Sequence, residues 1–344
     1  MALRLYGPAV LHARLRDRLT DFVVEEIDAF DADGAGEHLL LTVRKSGLTT
    51  DDLVRRIARW AQVKPRDVGY AGLKDKHGVT TQRISVWLPG REDPDIAQLN
   101  DDALNVLHAA RHTRKLQRGA SLGNAFALTL RDVNGNRPAI EQRLAEIATT
   151  GFANYFGAQR FGRGDNVSQA LAMFRGRRVD RNLRSLLNSA ARSAIFNAQL
   201  DRRIAMSRVL QITDGDIAML EGSNSVFGPV VADADLEERL RTGDIAMTAP
   251  MWGDGELATT GEIRDMESQV VAGDETLKEL ARGLRRSDLK QQRRAASVIP
   301  GGLKHEWLAE DVLRLQFTLR PGSYATALLH ELGEVRDVTA GDQR

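Results

Sequence analysis

The chain has 344 residues, 42% apolar and 28% charged, with 48 Lys and Arg against 47 Asp and Glu for a formal net charge of +1. That length supports two cored domains or one elaborated one, and no apolar run approaches the roughly 18–20 residues of a membrane-spanning helix. With no cysteine, disulfides, thiolate metal sites, iron–sulfur clusters and cysteine nucleophiles are excluded, which fits a reducing cytoplasm.

The N-terminal MALRLYGPAVLHARLRDRL lacks the apolar core and small-residue cleavage site of a secretory signal. Asp21–Ile27 (DFVVEEI) then reads as a strand, and Leu39, Leu41 and Val43 alternate with more polar neighbours as a half-buried strand does. Thr50 stands before DDLVRRIARWAQ as an N-cap, with acids in the first turn and Leu53, Ile57, Trp60 and Ala61 on one helical face. Arg83–Leu88 is a further strand. Phe126, Leu128 and Leu130 alternate, and Asn134-Gly135 beyond them signals a turn. Pro138 opens a helix to about Thr149, and helices follow over Leu183–Met206 and Asp274–Leu284. Leu313, Leu315, Phe317 and Leu319 return to strand alternation before a Pro321-Gly322 turn and a last helix, YATALLHEL, capped by Ser323. The two ends share a character that the middle lacks, the pattern of a core split by an insertion.

Charge is distributed unevenly along this frame. Ala103 to Arg131 contains no acid but includes Arg111, Arg114, Lys115, Arg118 and Arg131; Arg282–Arg294 carries six basic residues and one acid. Two such stretches in a near-neutral chain suit a polyanion bound on one face, although each alone also reads as a solvated face.

The densest chemistry lies in the fourteen positions Gly69–Gln82 (GYAGLKDKHGVTTQ), between a helix and a strand. Its glycines permit tight turns and close approach of a ligand. Asp75, flanked by Lys74 and Lys76, tends to stay ionised, and an ionised carboxylate can attack carbon. An exposed, solvated turn is the plain alternative. The stretch lacks Gly-x4-Gly-Lys-Ser/Thr spacing, and the chain has no Gly-x-Gly-x-x-Gly fingerprint, so no nucleotide cofactor is expected. His108 and His112, four apart, could share a helical face, but no third metal ligand stands near them, and no metal site is expected.

Ala71–Gln82 (AGLKDKHGVTTQ) resembles the signature loop of the TruD family of tRNA pseudouridine synthases. Further blocks resemble that family in order: Asp21–Ile27, Gly-Glu-His-Leu ending at Leu39, Lys115–Phe126 (KLQRGASLGNAF), Asn154–Gly162 (NYFGAQRFG), Ser189–Asn197 (SAARSAIFN) and Pro321–Thr326 (PGSYAT). An ordered set spanning most of the chain is far more specific than any one block. Departures are Leu19-Thr20 for the usual Pro-Glu, Arg16 for a lysine, and Phe152-Ala153 for Val-Pro.

The resemblance implies an α+β fold with a pseudouridine synthase-type catalytic core, a mixed and largely antiparallel sheet, and an inserted α/β TRUD domain. The core would comprise 1–150 and 301–344, and the insertion 151–300. It implies conversion of uridine to pseudouridine in tRNA, at position 13, by a cytoplasmic monomer needing no cofactor and no metal. By motif position Asp75 is the nucleophile, Phe22, Asn124 and Tyr324 contact the flipped-out base, and Lys74 and Gln82 support the loop. A non-catalytic RNA-binding protein and a carboxylate-dependent nucleosidase are the rival readings. The latter chemistry normally uses a pair of acids, of which the loop supplies only Asp75.

Overall fold

The computed structural model describes residues 2–162, 166–223 and 225–340; residues 341–344 of the expected core segment lie outside these. The first part of the chain carries strands β1 (Leu11–Leu15), β2 (Phe22–Asp28) and β3 (His38–Ser46), helix α1 (Thr50–Trp60), and strands β4 (Val68–Tyr70), β5 (Val79–Trp87), β6 (Leu104–His112) and β7 (Ser121–Gly135). The middle holds α2 (Arg137–Thr150), β8 (Phe152–Ala153), α3 (Asn166–Phe174), α4 (Arg181–Ala205), β9 (Ala218–Leu220), β10 (Val226–Phe227) and α5 (Ala234–Arg241). It continues with β11 (Ile245–Met251), α6 (Gly261–Ala272), α7 (Glu275–Arg285), β12 (Gln292–Ala295) and β13 (Ser297–Val298). The end supplies β14 (Gly301–Ala309), β15 (Val312–Leu319), α8 (Ala325–Leu332) and β16 (Gly333–Asp337).

These elements divide into two compact units. One comprises 10–140, 300–322 and 333–344; the other comprises 1–9, 141–299 and 323–332. In the first, a sheet runs β14-β15-β7-β2-β5-β3-β6, with β1 beside β7 and β16, and β4 beside β5. Among the described residues of this sheet only β2–β5 and β1–β16 pair in parallel, so it is mixed and largely antiparallel, as expected.

Helix α1 covers one face of this sheet. Thr49, not Thr50, is its N-cap: the Thr49 hydroxyl accepts from the Asp52 amide at 3.0 Å, and the Asp52 carboxylate accepts in return from the Thr49 amide at 3.3 Å. Leu53, Val54, Ile57, Ala58 and Ala61 then bury themselves against Leu39, Leu41, Val43, Ile84 and Val86. Each large apolar side chain so covered contributes about 1.5–3 kcal/mol.

Two other expectations change. Asn134-Gly135 does not turn the chain but extends β7, where Gly135 pairs with Leu11 and Asn134 with His12. The Val10 carbonyl lies 2.3 Å from where a Gly135 Cβ would stand, so only glycine admits this approach. His108 and His112 lie on a strand, where positions four apart are separated by about 13 Å. They cannot share one metal as they would on a helix.

The second unit pairs α3, α4 and α7 around Leu187, Ala191, Ile195, Leu280 and Leu284, beside a β10-β9-β11-β12 sheet. Arg203, Asp216 and Glu267 are each wholly buried there, with Arg203 Nη2 2.5 Å from Asp216 and 3.5 Å from Glu267. The N-terminal residues belong to the same unit through Arg143, whose Nη2 donates to the Tyr6 carbonyl at 2.6 Å and whose Nη1 donates to the Glu331 carbonyl at 2.9 Å.

Candidate active site

Strand register gathers most of the singled-out residues on one sheet face. Residues directly opposite in a ladder point to the same side. Glu26 lies opposite Asn124, Val24 opposite Phe126 and Phe22 opposite Leu128; Thr80 lies opposite Lys45 and Gln82 opposite Val43, with Thr80 also beside Val24. Phe22, Glu26, Lys45, Thr80, Gln82 and Asn124 therefore share the face that α1 covers further along. Along β3 the inward positions read Leu39, Leu41, Val43, Lys45, and along β5 they read Val86, Ile84, Gln82, Thr80. The face turns polar where it runs out from beneath the helix.

Over this polar end lies the segment between β4 and β5. Its Lys74 amide donates to the Thr50 hydroxyl oxygen at 2.9 Å, which is what Thr50 does instead of capping α1. The Lys74 ammonium bonds Glu26 Oε2 at 2.6 Å, with both side chains nearly sealed from solvent. Gly78 lies so close to β2 that a Cβ there would stand 2.6 Å from the Phe22 carbonyl oxygen. The wholly buried Lys45 donates from Nζ to the Leu48 carbonyl at 2.6 Å and to the Asp75 carbonyl at 2.8 Å. Burial pushes the Lys45 ammonium down to about 8, a shift that the nearby Asp75 carboxylate partly offsets.

The Asp75 side chain is half exposed, 51% by area, so its carboxylate is held at the surface of the pinned loop. Its Oδ2 accepts from Arg16 Nη2 at 3.1 Å. Arg16 also pairs with Asp337, and its guanidinium lies 3.8 Å over the Phe22 ring. Arg16 itself has φ +64°, a left-handed conformation uncommon for a side-chain-bearing residue. Arginine at this position thus reaches the carboxylate while stacking, which a lysine ammonium could not do in the same way.

Phe22 is 3% exposed, backed edge-on by Phe126, which stacks in turn on Phe317. Gln82 is fully buried and accepts from the Thr50 hydroxyl at 3.4 Å. Asn124 follows Gly123, whose φ is +152° and whose Cβ position would meet the Leu319 carbonyl at 2.3 Å. The Asn124 Oδ1 is buried without a hydrogen-bond partner among the described residues. Tyr324 belongs to the other unit. There its hydroxyl accepts from Arg160 Nη2 at 2.9 Å and its ring lies 5.9 Å from that of Phe156.

Sequence reading passed over Lys45 and Glu26. Both carry a legible signal, a charged residue in the inward register of an otherwise apolar alternation. The basic stretches prove partly consumed by the fold: Arg111 pairs with Asp93, Arg131 grips the buried Asp21 through both oxygens, and Arg293 pairs with the buried Glu267.

A pinned loop presenting a carboxylate beside a guanidinium can support attack on, or cation stabilisation at, an electrophilic carbon. The family model described as tRNA pseudouridine synthase D matches residues 6–173 and 163–332. The chain belongs to the tRNA pseudouridine synthase D family. Proteins named tRNA pseudouridine synthase D are 47% identical in Xanthomonas axonopodis pv. citri, over 97% of this chain and 95% of that protein, and 42% identical in Methylococcus capsulatus, over 96% and 94%. The family fold is also seen in a crystal structure described as a tRNA pseudouridine synthase D from Methanosarcina mazei. That structure matches with a TM-score of 0.73 over 96% of each chain at 22% identity.

Proposed function

We propose that this chain isomerises uridine to pseudouridine in tRNA, at position 13, with Asp75 as the nucleophile. The reaction breaks the N1–C1′ bond, turns the uracil, joins C5 to C1′ and moves the C5 proton to nitrogen, so substrate and product are isomers and no electrons are exchanged. The observation that carries the reading is the Asp75 carboxylate, held by its backbone on a pinned loop and met at 3.1 Å by Arg16. Asp75 either bonds to C1′ or stabilises positive charge there and assists proton removal while the base turns.

A base stacked within folded RNA must first be extruded, at a cost of a few kcal/mol. Asn124, Phe22 and Tyr324 are assigned to the extruded base. The Asn124 carboxamide, half-buried and with its Oδ1 unpartnered among the described residues, suits the base edge. Phe22 acts from beneath, since Arg16 occupies its face. Lys74 and Gln82 hold the loop, with Glu26 and Thr50 as their partners. The catalytic core is assigned to 1–150 and 301–344 and the inserted domain to 151–300; within the fold, 1–9, 141–150 and 323–332 pack with the middle of the chain. The protein is assigned to the cytoplasm as a monomer acting without cofactor or metal.

The test is incubation of purified protein with unmodified tRNA transcripts, without cofactor, followed by carbodiimide-blocked primer extension. A single stop at position 13, lost in Asp75→Asn, supports the reading. Release of free uracil points to a nucleosidase instead, and RNA affinity with no isomerised site in any tRNA points to a binding protein.

A further inference from the structure

We propose that Lys45 is a positioning residue for the isomerisation, fixing the backbone at Asp75 so that its carboxylate meets C1′. This rests on the reading of Asp75 as nucleophile. Lys45 is the fourth inward residue of β3 after Leu39, Leu41 and Val43, and it is wholly buried. Removing an ammonium from water is costly unless its protons find acceptors. Its described acceptors are the carbonyls of Leu48 and Asp75, at 2.6 and 2.8 Å. The first ties it to the turn entering α1, and the second to the residue that bears the carboxylate.

The peptide units around Asp75 are thereby held from both sides, by Thr50 at the Lys74 amide and by Lys45 at the Asp75 carbonyl. Glu26 anchors the intervening side chain of Lys74. An apolar side chain at 45 would leave both carbonyls without this donor. The charged groups acting on Lys45 are Asp75, Lys74 and Asp52. Of these, the Asp75 carboxylate exerts the largest attraction. A lysine here therefore fixes the loop and places a positive charge behind the reacting group. Displacement of a reacting group by about 1 Å can cost on the order of 100-fold in rate.

Because the chain has no cysteine, Lys45→Cys introduces a unique thiol. Alkylation of the unfolded variant with 2-bromoethylamine rebuilds a lysine analogue with one sulfur in the stem; 1-iodopropane gives its neutral isostere. After refolding, both adducts are compared for transcript affinity and single-turnover rate. The propyl protein is expected to bind within about threefold of the parent but to turn over about 10- to 100-fold more slowly, and the aminoethyl protein to regain most of the rate. Lys45→Met and Lys45→Arg, produced without refolding, repeat the comparison by a second route. Equal rates for charged and neutral side chains overturn the proposal, as does a loss of rate matched by an equal loss of affinity. Asp75→Asn is run alongside. If it turns over normally, the Asp75 reading falls and this proposal with it; if it is inactive while both adducts match the parent, only the role of Lys45 falls.

Discussion

At the scale of single residues, Asp75 owes its placement to its backbone more than to its side chain, which has one described partner, Arg16. Replacing that carboxylate by an amide keeps the shape and removes the nucleophile. Asp75→Asn is expected to lower single-turnover isomerisation by at least about 1,000-fold, while transcript affinity by filter binding stays within a few-fold. Lys45 carries a pH signature of its own. Its ammonium falls from the ordinary lysine value of 10.5 to about 8 in the folded protein because it is buried. Below pH 8 both folded and unfolded states hold the proton, and the fold bears the full cost of the buried charge. Between pH 8 and 10.5 the folded state releases the proton that the unfolded state keeps, so this cost is relieved as pH rises. Lys45→Met removes the titration. Its stability relative to the parent, from denaturant midpoints, should therefore fall by roughly 3 kcal/mol between about pH 7 and pH 10.5. A constant difference would show that Lys45 does not titrate in that window.

At the scale of elements, two adjacent threonines have separate tasks. Thr49 caps α1 in a reciprocal pair with Asp52, whereas Thr50, 2% exposed, accepts the Lys74 amide and bonds Gln82. Thr49→Ala is expected to cost about 1 kcal/mol of stability with little change in isomerisation rate. Thr50→Val, nearly equal in volume, should leave α1 intact and slow isomerisation about tenfold by loosening the loop. Melting curves and single-turnover rates on both variants separate the effects, and a rate loss confined to Thr49→Ala would reverse the assignment. The capping motif was legible in the sequence, but the expected cap, Thr50, stands one residue too late; Thr49 fills that role. Tertiary contact with the loop settled which hydroxyl was needed elsewhere. The same holds for Asn134-Gly135: the dipeptide is an ordinary turn signal, yet antiparallel pairing with β1 draws it into a strand.

For the whole molecule, net charge near zero and internal pairing together limit how much of the basic sequence can meet RNA. Arg293 is committed to Glu267 and Arg131 to Asp21, while Arg114 and Arg118 are exposed, the latter stacked 3.9 Å over Tyr70. Arg114→Gln is expected to weaken transcript binding and to reduce the slope of log affinity against log salt by about 0.7–0.9. Arg293→Gln should leave that slope unchanged and instead destabilise the protein by about 1.5–3 kcal/mol, because the buried Glu267 then keeps only the Thr259 hydroxyl and the 3.5 Å contact with Arg203. Salt titrations of the two variants decide this, and a reduced slope for Arg293→Gln would place that run at the RNA after all. The chain also passes between its two units five times, so neither unit is a contiguous stretch that could be cut free at a single site.

Several of the strands and helices and the loop bearing Asp75 could be read from sequence, because alternation, helical periodicity and glycine-rich turns are local properties of neighbouring residues. The family could be read as well, from motifs spread in order along the chain. Which polar residues share a face could not, since that depends on pairing between strands far apart in sequence: Glu26 beside Asn124, Lys45 beside Thr80. Nor could the fate of the arginines, for a guanidinium that meets a buried carboxylate and one that meets solvent look alike until the fold brings their partners to them.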